Sequence, residues 1–148
     1  CPCTNTGVAG HGCTNSSSTG GALLAASGVA SLSSDTVLFT ATGEKPTALS
    51  ILAQGQTQIA AVPFGQGLRC VGGNLKRMYV KSAVNGTFSA PTGPDPSVHV
   101  RSAALGDAIP AGASRYYYAY YRDAIVLGGC SPASTFNATQ NVRLIWAP

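Results

Sequence analysis

Charged side chains are scarce in this sequence. They make up 9% of the 148 residues, whereas an average soluble domain contains about 25%. This scarcity excludes a charge-rich disordered segment and argues against an intracellular helical protein rich in Glu and Lys. Serine, threonine, glycine and alanine are common instead, a composition that suits a secreted β protein.

Long apolar runs and basic clusters are also missing. The longest apolar candidate, ALLAASGVA, is interrupted by serine and glycine and falls well short of the ~20 residues that a membrane-spanning helix needs. The net charge is +4, but the nine basic residues are scattered along the chain. We therefore expect no membrane span and no nucleic-acid binding. A chain that starts at Cys1 without Met predicts processing or trimming.

Residues that usually carry out catalysis are few. The sequence has two histidines, His11 and His99, and five carboxylates. It contains no nucleophile elbow, no zinc-protease helix motif and no phosphate-binding glycine loop. His99 lies in an alternating stretch that we predict to be a strand, and we interpret it as an outward-facing side chain without an orienting partner. The sequence thus predicts no catalytic residue, no cofactor, and a protein that is not an enzyme.

Glycine and proline divide the chain into short apolar runs. Eighteen glycines and nine prolines separate segments rich in β-branched and aromatic residues, which is typical of many short strands. We predict strands at 22–32, 36–42, 48–54, 57–64, 68–71, 74–84, 97–102, 115–126 and 141–147. The tight Gly55-Gln56 link predicts a hairpin between 48–54 and 57–64.

These strands predict a single all-β domain over residues 1–148. The expected architecture is an antiparallel two-sheet β-sandwich of immunoglobulin-like or fibronectin-like size, with a jelly roll as the alternative. Residues 1–20 are predicted to form an irregular N-terminal segment closed by a disulfide.

The five cysteines, Cys1, Cys3, Cys13, Cys70 and Cys130, raise the question of a metal site. Zinc calls for C-x₂-C pairs or a matching histidine pair, whereas the spacing here is C-x-C followed by H-x-C. The two side chains of C-x-C point to opposite sides of an extended backbone. We predict disulfides and no metal, because the composition indicates an oxidising compartment; a soft copper site is the alternative.

Two disulfides would use four of these cysteines. We predict Cys3–Cys13 and Cys70–Cys130, each contributing about 2–4 kcal/mol, although four cysteines allow other pairings. Cys1 is then left over. It would be bonded to another subunit or to a cysteine outside this sequence; a lipidated cysteine is a third interpretation, which the adjacent Pro2 disfavours.

The segment RYYYAYYRD is the second singular feature. Side chains of a strand alternate between two faces. One face carries Tyr117, Ala119 and Tyr121, and the other carries Tyr116, Tyr118 and Tyr120. We predict the face with Ala119 to be inward, because a small residue suits the gap between sheets. The outward tyrosines then predict a surface that contacts a partner or stacks on sugars; the alternative is that both faces of this strand are buried or half-buried within the protein.

The last strand, in NVRLIWAP, has Val142, Leu144 and Trp146 on one face. Its simpler interpretation is a closing strand of the chain's own domain. The alternative is strand exchange with a second copy, which would make these three residues part of an interface.

Three N-x-S/T triplets begin at Asn15, Asn85 and Asn137. All three lie in predicted loops, so they are candidate glycosylation sites in a secreted protein. In a chain this rich in serine and threonine, such triplets also arise by chance.

Several motifs together resemble a known family. They are CPCTNTGVAGHGCTNS, GALLAASGVASLSSDTVLFTATG, FGQGLRCVGG, DPSVHVR, IPAGASRYYYAYYRD and FNATQNVRLIWAP. This frame is similar to an exported all-β module frequent in planctomycetes and related environmental bacteria, with Thr4 in place of a glycine and Tyr120 in place of a tryptophan. The resemblance implies an extracellular module of undefined activity without transferable catalytic residues, and a further cysteine upstream of Cys1.

Low charge, an unpaired Cys1 and the tyrosine face lead to a functional hypothesis. We expect an extracellular or cell-surface structural protein that associates with copies of itself, for example as a filament or surface-layer subunit. The alternative is a carbohydrate-binding or adhesion module whose partner is a polysaccharide.

Overall fold

The computed structural model describes all residues from Cys1 to Pro148 and contains ten strands and one short helix. The elements in chain order are β1 (Leu23–Ser27), β2 (Leu38–Thr42), β3 (Leu49–Gly55), β4 (Thr57–Phe64), β5 (Gly67–Gly72), β6 (Lys76–Ser82), β7 (Phe88–Ala90), α1 (Val98–Ala104), β8 (Ser114–Arg122), β9 (Phe136–Ala138) and β10 (Val142–Ile145). The strands pair antiparallel. The helix is not long enough to cross a membrane.

Two sheets enclose the core, which confirms the all-β, sandwich-like prediction. The smaller sheet has the order β1-β2-β7, and the larger has the order β10-β8-β3-β6, with β9 also paired to β8. β10 and β9 lie one after the other along the same edge of β8, beside residues 114–117 and 120–122 respectively. Between them, the Thr139 backbone N–H donates to the Ala119 carbonyl, and the Ala119 N–H donates to the Thr139 hydroxyl.

Large apolar side chains from both sheets fill the gap between them. The main cluster contains 14 buried residues, among them Phe39 and Phe88 from the smaller sheet and Leu52 and Tyr117 from the larger. The Phe39 and Tyr117 rings approach to 4.6 Å between centroids. Every second side chain of β2 and β8 points into the gap between the sheets, because side chains of a strand alternate between its two faces. Phe39 and Tyr117 are at such inward positions.

A third layer, formed by β4 and β5, was not expected. The sequence predicts a hairpin of β3 with β4, and this prediction is wrong: β4 pairs with β5, and the two form a separate ribbon. The backbone at Gly55 lies so close to the Gly72 carbonyl that a β-carbon would collide with it. Glycine therefore lets the chain leave the larger sheet at this point and cross into the ribbon. We call β4 and β5 the ribbon below.

The predicted strand at 97–102 is also wrong, because Val98–Ala104 is helical. Val98 and Val100 suggested alternation, yet the buried residues are Val98 and Ser102, one helical turn apart. Asp35 stabilises the start of this helix, since its carboxylate accepts the His99 backbone N–H at 2.8 Å. β7 and β9, of three residues each, are too short to give a sequence signal.

Residues 1–20 contain no strand or helix. Backbone hydrogen bonds connect this segment to itself and to the residue before β1: Val8 donates to Gly20, Thr14 to Asn5, and Gly12 to Ala22. Its side chains also reach the larger sheet, because Asn15 donates to the Tyr121 hydroxyl at 3.1 Å.

Candidate functional site

The tyrosine strand β8 has one face in the core and one under the ribbon. Tyr117, Ala119 and Tyr121 are buried between the sheets, which confirms the predicted orientation. On the opposite face Tyr118 is also buried, and Tyr116 and Tyr120 are half-buried. The outer tyrosines are therefore covered in part by the chain itself, because the ribbon packs across them.

Four aromatic rings gather on this outer face. Phe64 of β4 contacts Tyr118, Tyr120 and Phe136 edge-to-face, with centroid distances of 6.0, 5.5 and 4.8 Å. Tyr118 and Tyr120 stack at 6.0 Å. Edge-to-face and offset geometries at these distances are favourable. The rings come from three strands that are distant in sequence, so the sequence prediction included the tyrosines and missed both phenylalanines.

A cleft of about 240 Å³ opens beside these rings, between the ribbon and the larger sheet. We call it the aromatic cleft; its lining residues are Ala53, Phe64, Leu75, Lys76, Arg77, Tyr118 and Tyr120. On the ribbon side, the Arg69 guanidinium lies 5.7 Å from the centroid of the Phe64 ring, in cation–π range. Two guanidinium groups, those of Arg69 and Arg77, thus lie near the aromatic rings.

The cations at the aromatic cleft have no carboxylate partner. Ion pairs in the protein join Lys45 to Asp123, Lys81 to Asp95, His99 to Asp35, and Arg115 to Asp107. The fifth carboxylate, Glu44, is buried elsewhere. Arg69 and Arg77 therefore give the cleft a net positive charge, whereas the Lys76 ammonium lies beside Gly106 on the other face of the sheet. Two of the basic residues that look scattered in the sequence are thus brought together here by the fold.

Tyr118 forms the deepest part of the cleft wall. Burial raises the pKa of its hydroxyl to about 12, although the positive charges of Arg69 and Arg77 act in the opposite direction. The phenol therefore stays protonated at ordinary pH and can donate a hydrogen bond. The cleft combines a neutral donor, aromatic faces and positive charge, a combination that can bind an anionic ligand with flat apolar surfaces.

The predicted disulfides are wrong in their pairing. The structure links Cys1 to Cys13 and Cys3 to Cys130 and leaves Cys70 as a free thiol. The N-terminal segment folds back so that Cys1 and Cys13 lie 5.7 Å apart at their α-carbons. Cys3 meets Cys130 because the loop after β8 passes over the segment, with Gly129 against the Cys3 backbone. Cys1, which we predicted to be unpaired, is therefore in a disulfide, and Cys70 is the unpaired cysteine.

Cys70 lines a second cavity, of about 130 Å³, which we call the cysteine pocket. Its other lining residues include both half-cystines Cys1 and Cys13, His11, Leu68 and Tyr118. Tyr118 thus separates the cysteine pocket from the aromatic cleft. No group of three or more His, Cys, Asp or Glu side chains is arranged to hold a metal ion.

The prediction of glycosylation is wrong for two of the three candidate asparagines, because both are buried. Asn15 and Asn137 are fully buried, and their amide nitrogens donate to the Gly43 and Cys13 carbonyls. A glycan cannot be attached to an amide nitrogen that is enclosed in this way. Asn85 is exposed, in a turn with Gly86 in which both residues have positive φ, 51° and 73°.

The interface residues predicted for the last strand belong to the chain's own core. Trp146 is fully buried, and its indole N–H donates to the Tyr117 hydroxyl at 3.1 Å. Val142 and Leu144 pack against the same core. β10 therefore closes its own sheet beside β8, so the interface assignment of these three residues is wrong.

His99 has a partner that the sequence did not reveal. Its Nδ1 lies 3.1 Å from the Asp35 carboxylate and 3.3 Å from the Ser97 hydroxyl. The same carboxylate accepts the backbone N–H groups of Val37 and His99. This arrangement joins α1 to the segment before β2. Asp35 and Ser97 both contact Nδ1 of the imidazole. We interpret the arrangement as structural, because the Asp35 carboxylate caps the N-terminus of α1.

Fold and site together define an all-β, disulfide-bonded protein with a cationic aromatic cleft. Comparison of the chain with protein-family models, curated proteins and solved structures gave no match.

Proposed function

We propose that the protein is an extracellular binding module whose aromatic cleft takes an anionic polysaccharide. The observation that carries the proposal is the placement of Arg69 and Arg77, without carboxylate partners, around the rings of Phe64, Tyr118 and Tyr120. Aromatic faces accept the apolar faces of sugar rings, and the cations attract carboxylate or sulfate groups.

Two features support a location outside the cell. Cys1–Cys13 and Cys3–Cys130 are disulfides of a kind that persists in oxidising compartments. The resemblance to exported planctomycete modules agrees with this location, and we propose membership of that family. A polysaccharide suits the cleft better than a nucleic acid, because only two cations gather here and no long basic stripe follows them.

Binding to polygalacturonate, measured by isothermal titration calorimetry beside its methyl-esterified form, tests the proposal. We expect binding to the charged polymer only, with loss at about 1 M salt, where the screening length is about 3 Å. Arg77→Ala should weaken binding about tenfold, since a hydrogen bond to a charged group contributes about 1.5–3 kcal/mol. Arg143→Ala is the matched control, because Arg143 is an exposed cation on β10, away from the cleft.

Three outcomes would contradict the proposal. They are equal binding of the charged and the esterified polymer, an equal effect of Arg77→Ala and Arg143→Ala, and tighter binding of single-stranded DNA than of any acidic polysaccharide.

Self-association is the second candidate function, and one surface favours it. Leu49 of β3 and Val80 of β6 are 53% and 54% exposed, and both lie on the outer face of the larger sheet. β6 is the edge strand of that sheet and has no partner strand on its outer side, although Arg101 of α1 donates to its Met78 carbonyl at 2.8 Å. Exposed apolar side chains beside an edge strand are typical of surfaces through which copies of a chain associate.

Sedimentation velocity over a range of concentrations tests this second candidate. We expect Val80→Lys to abolish association, because it places a charge on the edge strand. Val29→Lys is the control, since Val29 is equally exposed but lies next to β1. A wild-type chain that is monomeric at every concentration would refute self-association and leave the cleft proposal untouched.

A further inference from the structure

The cysteine pocket brings a thiol, a disulfide and an imidazole to one small cavity. Cys70, both half-cystines Cys1 and Cys13, and His11 all line its volume of about 130 Å³. Cys70 and Leu68 lie two residues apart on β5 and therefore project from the same face of the strand, into this pocket. A nucleophile and an electrophilic disulfide thus line the same cavity.

The tautomer of His11 is fixed by its surroundings. Its Nδ1 lies 2.8 Å from the Gly21 carbonyl oxygen. A carbonyl oxygen only accepts hydrogen bonds, so Nδ1 carries the proton and Nε2 keeps a free lone pair. No lining residue has a carboxylate, lysine or arginine side chain. Besides Cys70 and His11, the titratable groups on lining residues are the Tyr118 hydroxyl and the α-amino group of Cys1. The exchange step uses Nε2 of the neutral His11 ring as the base for the Cys70 thiol, and the His11 variant below tests this choice.

We propose that the cysteine pocket is a thiol–disulfide exchange site in which Cys70 attacks the Cys1–Cys13 disulfide. His11 Nε2 accepts the proton of the Cys70 thiol, and the resulting thiolate forms a bond to Cys13 Sγ. The Cys1–Cys13 bond breaks, its electron pair leaves on Cys1 Sγ, and this sulfur takes the proton from His11. One disulfide and one thiol are present before and after, so the step needs no external oxidant or reductant.

Attack at Cys13 follows from the burial of the two sulfurs. Cys1 is exposed, whereas Cys13 is 2% exposed. The departing thiolate is best stabilised where water reaches it, which selects Cys1 as the leaving group. The product has a Cys13–Cys70 bond between a buried and a half-buried residue, and a free thiol at the exposed Cys1. That thiol is available for a disulfide with a second molecule. This proposal does not depend on the function of the aromatic cleft.

Disulfide mapping tests the exchange directly. The oxidised protein is equilibrated at pH 8, quenched in acid with N-ethylmaleimide, digested without reduction and analysed by mass spectrometry. We expect a Cys13–Cys70 peptide with maleimide on Cys1 in about a tenth of the molecules, beside the starting form with maleimide on Cys70. Maleimide on Cys70 alone would overturn the proposal, and maleimide on Cys13 would overturn the choice of leaving group.

Two variants separate chemistry from structure. Cys70→Ser should abolish labelling of Cys1, since no internal thiol remains to attack. His11→Asn keeps an N–H for Gly21 but removes the base, so it should slow exchange at least about tenfold at pH 7 and leave the final mixture unchanged. His99→Asn, outside the pocket, is the control and should exchange at the wild-type rate. The fluorescence of the buried Trp146 reports that each variant is folded. Exchange of His11→Asn at the wild-type rate would overturn the role of His11.

Discussion

Glu44 is a carboxylic acid held in the interior, between β2 and β3. It is 2% exposed. One carboxyl oxygen accepts a hydrogen bond from the Ser50 hydroxyl, and the other has no partner. Burial raises the pKa of Glu44 from 4.5 to about 7, while the Ser50 hydrogen bond acts in the opposite direction. The folded protein therefore holds a proton on Glu44 at pH values where the unfolded chain has lost it.

This raised pKa makes stability depend on pH. A carboxyl group whose pKa is higher in the folded state stabilises the fold below its unfolded pKa, and the stabilisation is lost as pH rises from about 4.5 to about 7. The total loss is on the order of 3 kcal/mol, because one pKa unit corresponds to about 1.4 kcal/mol. Glu44→Gln removes the charge, so we expect it to stabilise the protein at pH 8 and to change little at pH 4, by urea denaturation.

Asp95→Asn is the control with the opposite sign. Partial burial of Asp95 raises its pKa, but hydrogen bonds from Lys81 and the Thr92 backbone N–H, and the Lys81 charge, lower it more, so the net pKa is below its usual value. Its stabilisation is present above the unfolded pKa and is lost as pH falls through the lowered folded pKa. Asp95→Asn should therefore lower the free energy of unfolding at pH 8. The loss should be at most about 1 kcal/mol, because the Lys81–Asp95 pair is at the surface. A Glu44→Gln variant that is equally stabilised at pH 4 and pH 8 would contradict the assignment.

At the scale of single elements, β8 and α1 show what the sequence can and cannot indicate. The two faces of β8 were predictable, because Ala119 is the one small residue among tyrosines and only one face fits between the sheets. The helix α1 was not, because Val98-His99-Val100 alternates like a strand while its capping group, Asp35, lies more than sixty residues upstream. The predicted hairpin at Gly55 was wrong for a similar reason. A short link between two strands does not reveal that the chain passes from the larger sheet into the ribbon there.

The capping of α1 by Asp35 leads to a prediction about two neighbouring residues. Ser97 is at the N-cap position, where sequence rules place the capping side chain, yet its hydroxyl accepts no backbone N–H of the helix and contacts only the His99 ring. Asp35 accepts the His99 N–H in its place. We expect Asp35→Ala to lower the free energy of unfolding by about 1–3 kcal/mol, and Ser97→Ala to change it by less than about 0.5 kcal/mol. Urea denaturation of both variants measures the difference; a larger loss for Ser97→Ala would contradict this capping.

At the scale of the whole molecule, the candidate site is assembled from distant parts of the chain. The aromatic cleft combines Phe64 and Arg69 from the ribbon, Arg77 from the start of β6, and tyrosines from β8. No local pattern connects these segments, so the sequence predicted the tyrosine face but not the phenylalanines or the cations around it. The predicted cysteine pairing was wrong for the same reason. Cys3 and Cys130 are brought together only because the loop after β8 passes over the N-terminal segment.

The two disulfides differ in how much of the chain they close, and this leads to the last prediction. Cys3–Cys130 joins residues 127 positions apart, whereas Cys1–Cys13 joins residues 12 apart. In the chain-entropy account, the longer closure stabilises the fold by about 5 kcal/mol and the shorter by about 3 kcal/mol. The double variant Cys3→Ala/Cys130→Ala should therefore unfold at a lower urea concentration than Cys1→Ala/Cys13→Ala. The fluorescence of Trp146, the single tryptophan and fully buried, reports both transitions. An equal or larger loss from removing Cys1–Cys13 would show that the N-terminal loop, and not the link between the two ends of the chain, is the main covalent stabiliser of the fold.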